Sequence, residues 1–253
     1  MKFITRLLLL LFFSASVQAS NLEREKRLMD EIVDSILDGE AEMLSTGDHE
    51  FLSIYTEADE PVGAVLILHG RGYHPDWQDV VNPLRVGLAE QGWNTLSIQL
   101  PVLEKTAKFY DYVQIFDEAL PRIDAAIDFL KKQGNDKVVL LAHSCGAHMA
   151  MQYIRKKGED RIDAFVGIGM GATDYKQPMR QPFPLDKMSK PILDVYGGDD
   201  YPAVQRLAAI RAQQMQDEGH ALSQQIIVPG ANHYFTDMGD PLLEVVATWL
   251  EKL

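Results

Sequence analysis

The sequence predicts an α/β fold, a mostly parallel central sheet with helices on both faces, and two observations support it. From residue 51 onward, short runs rich in aliphatic and β-branched residues alternate with segments of helical periodicity. The run at 138–142 is apolar at every position, which is typical of a central parallel strand covered on both faces. Regular succession of strand and helix implies right-handed crossovers and therefore one parallel sheet.

The predicted elements follow one another along the whole of residues 51–253, which we interpret as one domain. Strands are predicted at residues 51–55, 64–68, 95–99, 138–142, 164–168, 192–196 and 223–228. Helices are predicted at residues 77–91, 112–132, 146–157, 203–218 and 241–253. A short proline-rich loop at 176–184 is the main irregular stretch, so we expect a short or absent cap and an open site.

The N-terminal residues 1–19 are typical of a signal peptide. Lys2 and Arg6 precede an apolar run at 7–13, and small residues follow, which predicts cleavage before Ser20. The apolar run is shorter than the roughly 20 residues that a membrane span needs, although an uncleaved anchor is the alternative. We therefore expect an exported, periplasmic protein with no stable membrane span after cleavage.

Residues 20–50 form an acidic extension between the predicted signal peptide and the domain. Leu28, Ile32, Ile36 and Leu37 recur at helical spacing, and acidic side chains between them give the stretch a charged face. We expect an amphipathic helix over 22–44 that lies on the outside of the domain.

Composition limits the classes of partner. The chain has 24 Lys and Arg against 37 Asp and Glu, a formal charge of −13, which argues against nucleic acid and against electrostatic attachment to anionic membranes. Cys145 is the single cysteine, so no internal disulfide is possible. We expect a small-molecule or acyl-bearing substrate as the partner; nothing in the composition indicates an oligomeric state.

The most informative stretch is 138–149, where a buried strand runs into a tight turn at Ser144 and a helix begins at once. The turn lies at the carboxyl edge of the sheet, and open α/β folds bind their ligands at this edge. The tight turn requires small residues two positions before and after the nucleophile, and Ala142 and Gly146 meet that requirement.

Cys145 is a competing nucleophile, because thiolates are intrinsically reactive. Moving the turn by one residue would place His143 and Ala147 at the two crowded positions. Histidine fits poorly there, so the steric argument favours Ser144.

This stretch resembles the G-x-S-x-G nucleophile elbow of the α/β-hydrolases, with Ala142 in place of the first glycine. The resemblance covers the chain from about residue 50 to the C terminus. The chain is most similar to a group of exported bacterial α/β-hydrolase-like proteins of unknown function.

The resemblance implies a catalytic histidine after the last strand, and His233 stands there in a similar G-x-x-H setting. It also implies an acid after the strand and glycine turn that end near residue 198. Spacing from Gly197 favours Asp200, with Asp199 as the alternative. The order Ser144, Asp200, His233 is the order of the α/β-hydrolases.

The resemblance further implies an oxyanion hole at the glycine-rich turn after the strand at 64–68. Carried over to this chain, the backbone N–H groups of Arg71 and Cys145 are the two donors.

These features predict an exported serine hydrolase that cleaves an acyl bond, with a carboxylic ester as the expected substrate and a thioester or peptide as alternatives. A catalytically silent envelope protein that uses the fold for binding is the competing hypothesis. We expect no metal and no cofactor, since the sequence contains neither a zinc-ligand motif nor a dinucleotide fingerprint.

Overall fold

The computed structural model describes residues 19–174, 177–217 and 219–253. All but the last residue of the predicted signal peptide at 1–19 lies outside the described residues. Among the described helices, none is long and apolar enough to cross a membrane.

In the described part of the chain, one twisted sheet contains eight strands in the order β1-β2-β4-β3-β5-β6-β7-β8. The two pairings that involve β2 are antiparallel, and the other pairings are parallel. The strands are β1 (Glu40–Ser45), β2 (Glu50–Thr56), β3 (Gly63–Leu68), β4 (Trp93–Ile98), β5 (Val138–His143), β6 (Ala164–Ile168), β7 (Ile192–Asp199) and β8 (Gln224–Asn232).

Helices cover both faces of this sheet, which confirms the predicted fold class. The described helices are α1 (Leu22–Ile32), α2 (Val81–Glu90), α3 (Phe109–Tyr112), α4 (Ala119–Lys132), α5 (Cys145–Lys157), α6 (Pro202–Asp217) and α7 (Gly239–Leu250). Side chains of α3, α4 and α5 join the core on one face, and those of α2 and α7 join the core on the other.

Alternate residues of the central strands explain their continuous apolar sequences. Leu66 and Leu68 of β3 belong to the core under α4 and α5, whereas Val65 and Ile67 belong to the core under α2 and α7. Each of these side chains is at most 1% exposed. Burial of one such side chain contributes about 2 kcal/mol, so both faces stabilise the fold.

The helix predicted over 22–44 is correct only as far as Ile32, where α1 ends. A 3₁₀ turn follows, and 40–45 is strand β1 rather than helix, paired antiparallel with β2. Gly39 has φ +87°, and a Cβ there would lie 2.5 Å from the carbonyl oxygen of Tyr55, so the chain bends closely against β2 at this point. Sheet pairing overrides the helical periodicity, and the sheet begins before the domain boundary predicted at residue 51.

The helix predicted over 112–132 is divided into α3, a 3₁₀ segment at Val113–Glu118, and α4. Pro121 lies in the first turn of α4, where its missing N–H is tolerated. Proline cannot donate the backbone hydrogen bond that would continue α4 into the preceding segment. Between β6 and β7, the described residues contain a single 3₁₀ turn, Leu185–Lys187. No helical cap is therefore present in this described part of the chain.

Candidate active site

Ser144 forms the tight turn between β5 and α5, with φ +55° and ψ −114°. A positive φ is strained for a residue with a Cβ, and such strain is concentrated at functional sites. The Ser144 N–H donates a hydrogen bond of 2.8 Å to the Ile168 carbonyl at the end of β6, which holds the turn against the neighbouring strand.

The small residues around Ser144 are required by close backbone approaches. A Cβ on Gly146 would lie 2.5 Å from the His69 carbonyl oxygen and 2.8 Å from that of Leu68. Ala142 is fully buried and pairs in register with Leu68 on one side and Gly167 on the other. The methyl group of alanine is accommodated there in place of the glycine of the motif.

Three of the predicted site residues lie in one hydrogen-bonded chain. Nε2 of His233 is 2.8 Å from Oγ of Ser144, and Nδ1 of His233 is 2.6 Å from Oδ1 of Asp200. An ionised carboxylate only accepts hydrogen bonds, so Nδ1 carries the imidazole proton and Nε2 is left to accept the serine proton. All three side chains are at most 9% exposed.

The structure distinguishes between the two candidate acids. Asp199 is exposed at the end of β7, whereas Asp200 is buried and faces His233. Asp200 also accepts the Tyr201 N–H at 2.6 Å and the Gly197 N–H at 3.4 Å, which orient its carboxylate. Asp194, inside β7, instead pairs with buried Arg211 at 2.7 Å.

The thiol of Cys145 is not activated. Burial raises its pKa to about 12, against which the nearby Arg71 guanidinium has only a partial effect. The thiol is therefore protonated at neutral pH, and a protonated thiol is a poor nucleophile.

The two residues predicted to supply the oxyanion donors, Arg71 and Cys145, line the same cavity as Ser144 and His233. Within the described residues, neither the Arg71 N–H nor the Cys145 N–H donates a hydrogen bond to another group of the chain. Both donors are thus free to bind an oxygen atom of a ligand.

The Arg71 side chain is fixed by Asp174. Its guanidinium makes two hydrogen bonds to the Asp174 carboxylate, at 2.8 and 3.0 Å. The same carboxylate accepts the Phe109 N–H. Burial alone would raise the pKa of Asp174, but the guanidinium and the N–H outweigh it, so the pKa is lowered and the carboxylate stays ionised.

Two histidines near the site have structural roles. His69 donates through Nδ1 to the Gly70 carbonyl at 2.7 Å and accepts the Leu100 N–H at Nε2 at 2.9 Å. Burial lowers the pKa of His69 to about 3 and that of His148 to about 4, so both rings are neutral. His148 donates to the Ala172 carbonyl at 3.0 Å beneath the cavity.

Aromatic side chains that the sequence analysis did not single out border the site. The Tyr201 ring stacks on the His233 imidazole with centroids 4.3 Å apart, and its hydroxyl lies 2.7 Å from that of Tyr234. Tyr201 and Tyr234 directly follow Asp200 and His233 in the chain, and that adjacency is the signal that could have identified them.

The cavity over Ser144 has a volume of about 410 Å³ and is bordered by Tyr73, Phe109, Tyr201 and Tyr234. A second cavity, of about 400 Å³, lies beside it and shares Thr173, Ala203 and Arg206 with it. The proline-rich loop supplies one wall of this second cavity, at Pro178, Met179, Pro182 and Phe183. In the described residues, no group of three or more His, Cys, Asp or Glu side chains is arranged to hold a metal ion.

A family described as "Protein of unknown function (DUF3530)" matches residues 14–113 and 114–252. The chain belongs to this family. The match includes α1 and β1, so the N-terminal elements are part of the DUF3530 pattern and not an addition to it. No curated protein sequence is significantly similar to the chain.

Solved structures share the fold of this DUF3530 protein. Est1E from Butyrivibrio proteoclasticus is 16% identical, with a TM-score of 0.65 over 85% of this chain and 98% of its own. An α/β serine hydrolase without lid from Xanthomonas campestris is 14% identical, with a TM-score of 0.62 over 86% and 95% of the two chains. A dienelactone hydrolase from Anabaena variabilis is 20% identical, with a TM-score of 0.62 over 85% and 97%. The chain therefore has the α/β-hydrolase fold, as the sequence predicted.

Proposed function

We propose that this protein is a serine hydrolase that cleaves carboxylic esters through a covalent acyl-enzyme. The observation that carries the proposal is the continuous hydrogen-bonded chain from Asp200 through His233 to Ser144, at 2.6 and 2.8 Å. A serine hydroxyl needs a base within this distance to act as a nucleophile at neutral pH. The α/β-hydrolase fold and the likeness to esterases support the same reaction class.

In the proposed mechanism, Oγ of Ser144 attacks the ester carbonyl carbon while Nε2 of His233 takes the hydroxyl proton. The tetrahedral intermediate collapses, and the imidazolium returns that proton to the departing alkoxide, which leaves as an alcohol. A water molecule, deprotonated by His233, then attacks the acyl-enzyme, and the acid is released as Ser144 regains its proton.

Asp200 and the two backbone donors lower the barriers of these steps. The Asp200 carboxylate keeps the His233 ring in the required tautomer and stabilises its cationic form. The N–H groups of Arg71 and Cys145 stabilise the negative oxygen of each tetrahedral intermediate, and they do so without reorganisation because both are already free. These steps need no metal and no cofactor.

The shape of the site favours small or surface-exposed acyl groups. The cavity over Ser144 has a volume of about 410 Å³. The described residues between β6 and β7 form no helical cap over it. Its aromatic border provides apolar contact for an acyl or alcohol group near Ser144. Thioesters and peptides share the tetrahedral intermediate and are the alternative substrates.

We also propose that the protein is exported to the periplasm after cleavage before Ser20. The basic start, the apolar run at 7–13 and the small residues before Ser20 support this proposal. The test is N-terminal sequencing of the protein from a periplasmic fraction. A chain that begins at Ser20 is expected, and a full-length chain in the membrane fraction would contradict export by cleavage.

A catalytically silent binding protein is the competing function. The free donors and the activated Ser144 argue against it, because a binding protein needs no base within 2.8 Å of a serine hydroxyl.

The deciding experiment is hydrolysis of p-nitrophenyl acetate and butyrate by the mature protein and by Ser144→Ala. A fluorophosphonate probe, located by mass spectrometry, is used in parallel. Turnover that the variant lacks, with label on Ser144, is expected. A folded wild-type protein with neither turnover nor label would overturn the enzyme proposal in favour of the binding protein.

A further inference from the structure

Helix α1 reaches the turn that carries one of the oxyanion donors. We define the oxyanion turn as residues 70–72. Arg24 of α1 donates from Nη2 to the Gly72 carbonyl at 2.9 Å and from Nη1 to the Leu103 carbonyl. One guanidinium therefore joins the end of the oxyanion turn to the loop after β4.

The backbone of Arg24 is held in place by contacts that its neighbouring residues make. Glu25 is 5% exposed and forms a two-pronged ion pair with buried Arg122, at 2.8 and 3.2 Å. The Asn21 side chain caps the helix by accepting the Arg24 N–H at 2.8 Å, and the Asn21 N–H donates to the Val102 carbonyl at 2.7 Å. Arg24 thus projects from a firmly attached helix.

The oxyanion turn is held at each of its three residues. His69 binds the Gly70 carbonyl, Asp174 binds the Arg71 guanidinium, and Arg24 binds the Gly72 carbonyl. The Arg71 N–H, the group that must meet the developing oxyanion, has no hydrogen-bond partner among the described residues.

The Arg24 guanidinium lies directly against Gly72. Its φ of +74° lies in the left-handed region, and a Cβ there would lie only 3.2 Å from Nη2 of Arg24. Glycine imposes little conformational restraint of its own. The hydrogen bond from the guanidinium therefore restrains this end of the turn directly.

We propose that Arg24 is a positioning residue of the active site, which orients the Arg71 N–H by restraining Gly72. This inference rests on the proposed hydrolase function. Oxyanion donors work only when they lie about 2.7–3.1 Å from the charged oxygen, so a loosened turn weakens transition-state stabilisation more than substrate binding. Helix α1 is then part of the catalytic scaffold and neither a lid nor a separate arm.

The test compares Arg24→Gln with Arg24→Lys and with the control Arg27→Gln, which removes an exposed charge from the same helix. Loss of one oxyanion donor lowers kcat by about 100- to 1,000-fold, so an indirect loss is expected to lower it by about 10- to 100-fold in Arg24→Gln. KM for p-nitrophenyl butyrate is expected to stay within about threefold, since ground-state binding is retained. Arg24→Lys, which keeps the charge and one donor nitrogen, is expected to recover part of kcat.

A trifluoromethyl ketone provides a readout that a purely structural role would not change. It forms an oxyanion with Ser144, so its inhibition constant is expected to rise in Arg24→Gln by about the factor that kcat falls. Circular dichroism at the assay temperature establishes the folded fraction, and Arg24→Lys replaces Arg24→Gln if the latter is unfolded.

The outcomes separate this inference from the proposed function. If wild type hydrolyses the ester but Arg24→Gln retains kcat, or changes only KM, the positioning role is wrong and the hydrolase proposal stands. A fall in kcat with an unchanged inhibition constant also overturns the positioning role. If wild type neither turns over the ester nor takes up the fluorophosphonate, both proposals fail together.

Discussion

His143 donates a hydrogen bond from Nε2 to the backbone carbonyl of His233, 3.0 Å away. Burial, with a smaller contribution from His233, lowers the pKa of His143 to about 3, so this ring is neutral and carries its proton on Nε2. His143 is the last residue of β5 and directly precedes Ser144. The strand that presents the proposed nucleophile therefore also holds the backbone of the proposed base.

Replacement of His143 is expected to impair catalysis without removing any reacting group. In His143→Leu the loop that carries His233 loses this hydrogen bond, and a displacement of about 1 Å at a reacting group can lower the rate by about 100-fold. We expect kcat for p-nitrophenyl butyrate to fall by about 10- to 100-fold, while KM changes little. His143→Gln, which keeps a donor, is the matched control, and equal losses in both variants would contradict the positioning argument.

Ser144→Ala is expected to remove almost all turnover, whereas Cys145→Ala is expected to retain most of it. Loss of a catalytic serine lowers kcat by about 10⁶-fold in the best-studied serine hydrolases. Cys145 contributes only its backbone N–H in the proposed mechanism, so Cys145→Ala should keep kcat within about fivefold. Steady-state rates with p-nitrophenyl butyrate measure both variants. Fluorophosphonate label found on Cys145 instead of Ser144 would show that the nucleophile has been misassigned.

Asp200→Asn and Asp199→Asn form a matched pair that tests the choice of acid. The amide in Asp200→Asn can donate to Nδ1 of His233 and favours the wrong imidazole tautomer, which lowers kcat by about 10⁴-fold in the Ser-His-Asp template. Asp199 is exposed and makes no hydrogen bond or ion pair with His233 among the described residues, so its variant is expected to keep kcat within about twofold. The assignment of Asp200 fails if the two variants lose activity equally.

His148 is expected to make the protein less stable in acid. Burial among Phe109, Phe116 and Phe183 lowers its pKa to about 4, against about 6.5 in the unfolded chain. Above pH 6.5 both states are neutral; as the pH falls from 6.5 to 4, only the unfolded state binds the proton, and stability is lost. The loss by pH 4.5 amounts to about 2 to 3 kcal/mol.

Urea unfolding at pH 7 and pH 4.5 measures this contribution when wild type is compared with His148→Gln. Glutamine keeps a donor for the Ala172 carbonyl but does not titrate. Between pH 7 and pH 4.5, the free energy of unfolding of His148→Gln is expected to fall by about 2 to 3 kcal/mol less than that of wild type. Parallel pH profiles for the two proteins would exclude a contribution from His148.

Much of the fold and of the candidate site could be predicted because the relevant signals are local. The elbow at Ser144 depends on small residues two positions away, and the run at 138–142 is continuously apolar, as is typical of a central parallel strand. The choice of Asp200 over Asp199 rested on the number of residues that separate the acid from Gly197, which is again a local property of the chain.

The features that could not be predicted depend on residues far apart in the chain. Arg24 lies 48 positions from Gly72, and Arg71 lies 103 positions from Asp174, so neither contact leaves a periodic or adjacent pattern. Strand β1 was missed because its alternation is weak, with exposed and half-buried positions only. Pairing with β2 supplies the hydrogen bonds that its own sequence does not indicate.

Glu118 is expected to stabilise the mature form of the protein more than a longer one. The backbone nitrogen of Ser20 lies 3.3 and 3.1 Å from the two carboxylate oxygens of Glu118. Cleavage before Ser20, as proposed, converts this amide into an α-ammonium group, and the same contact becomes a partly buried ion pair worth about 1 kcal/mol. A change of that size shifts Tm by about 2 to 4 °C in a protein of this length.

The measurement is a cycle of four proteins, with chains that begin at Ser20 or at Ala19, each with Glu118 or Glu118→Gln. At pH 6.5, below the ordinary α-amino pKa of about 8, Glu118→Gln is expected to lower Tm clearly more in the chain that begins at Ser20. Equal losses of Tm in the two chains would mean that the contact between Glu118 and Ser20 is no stronger after cleavage than before it. Ser20 lies just before α1, the helix from which Arg24 contacts the oxyanion turn. A larger fall in Tm in the mature chain would therefore mean that cleavage also strengthens the attachment of this helix to the domain.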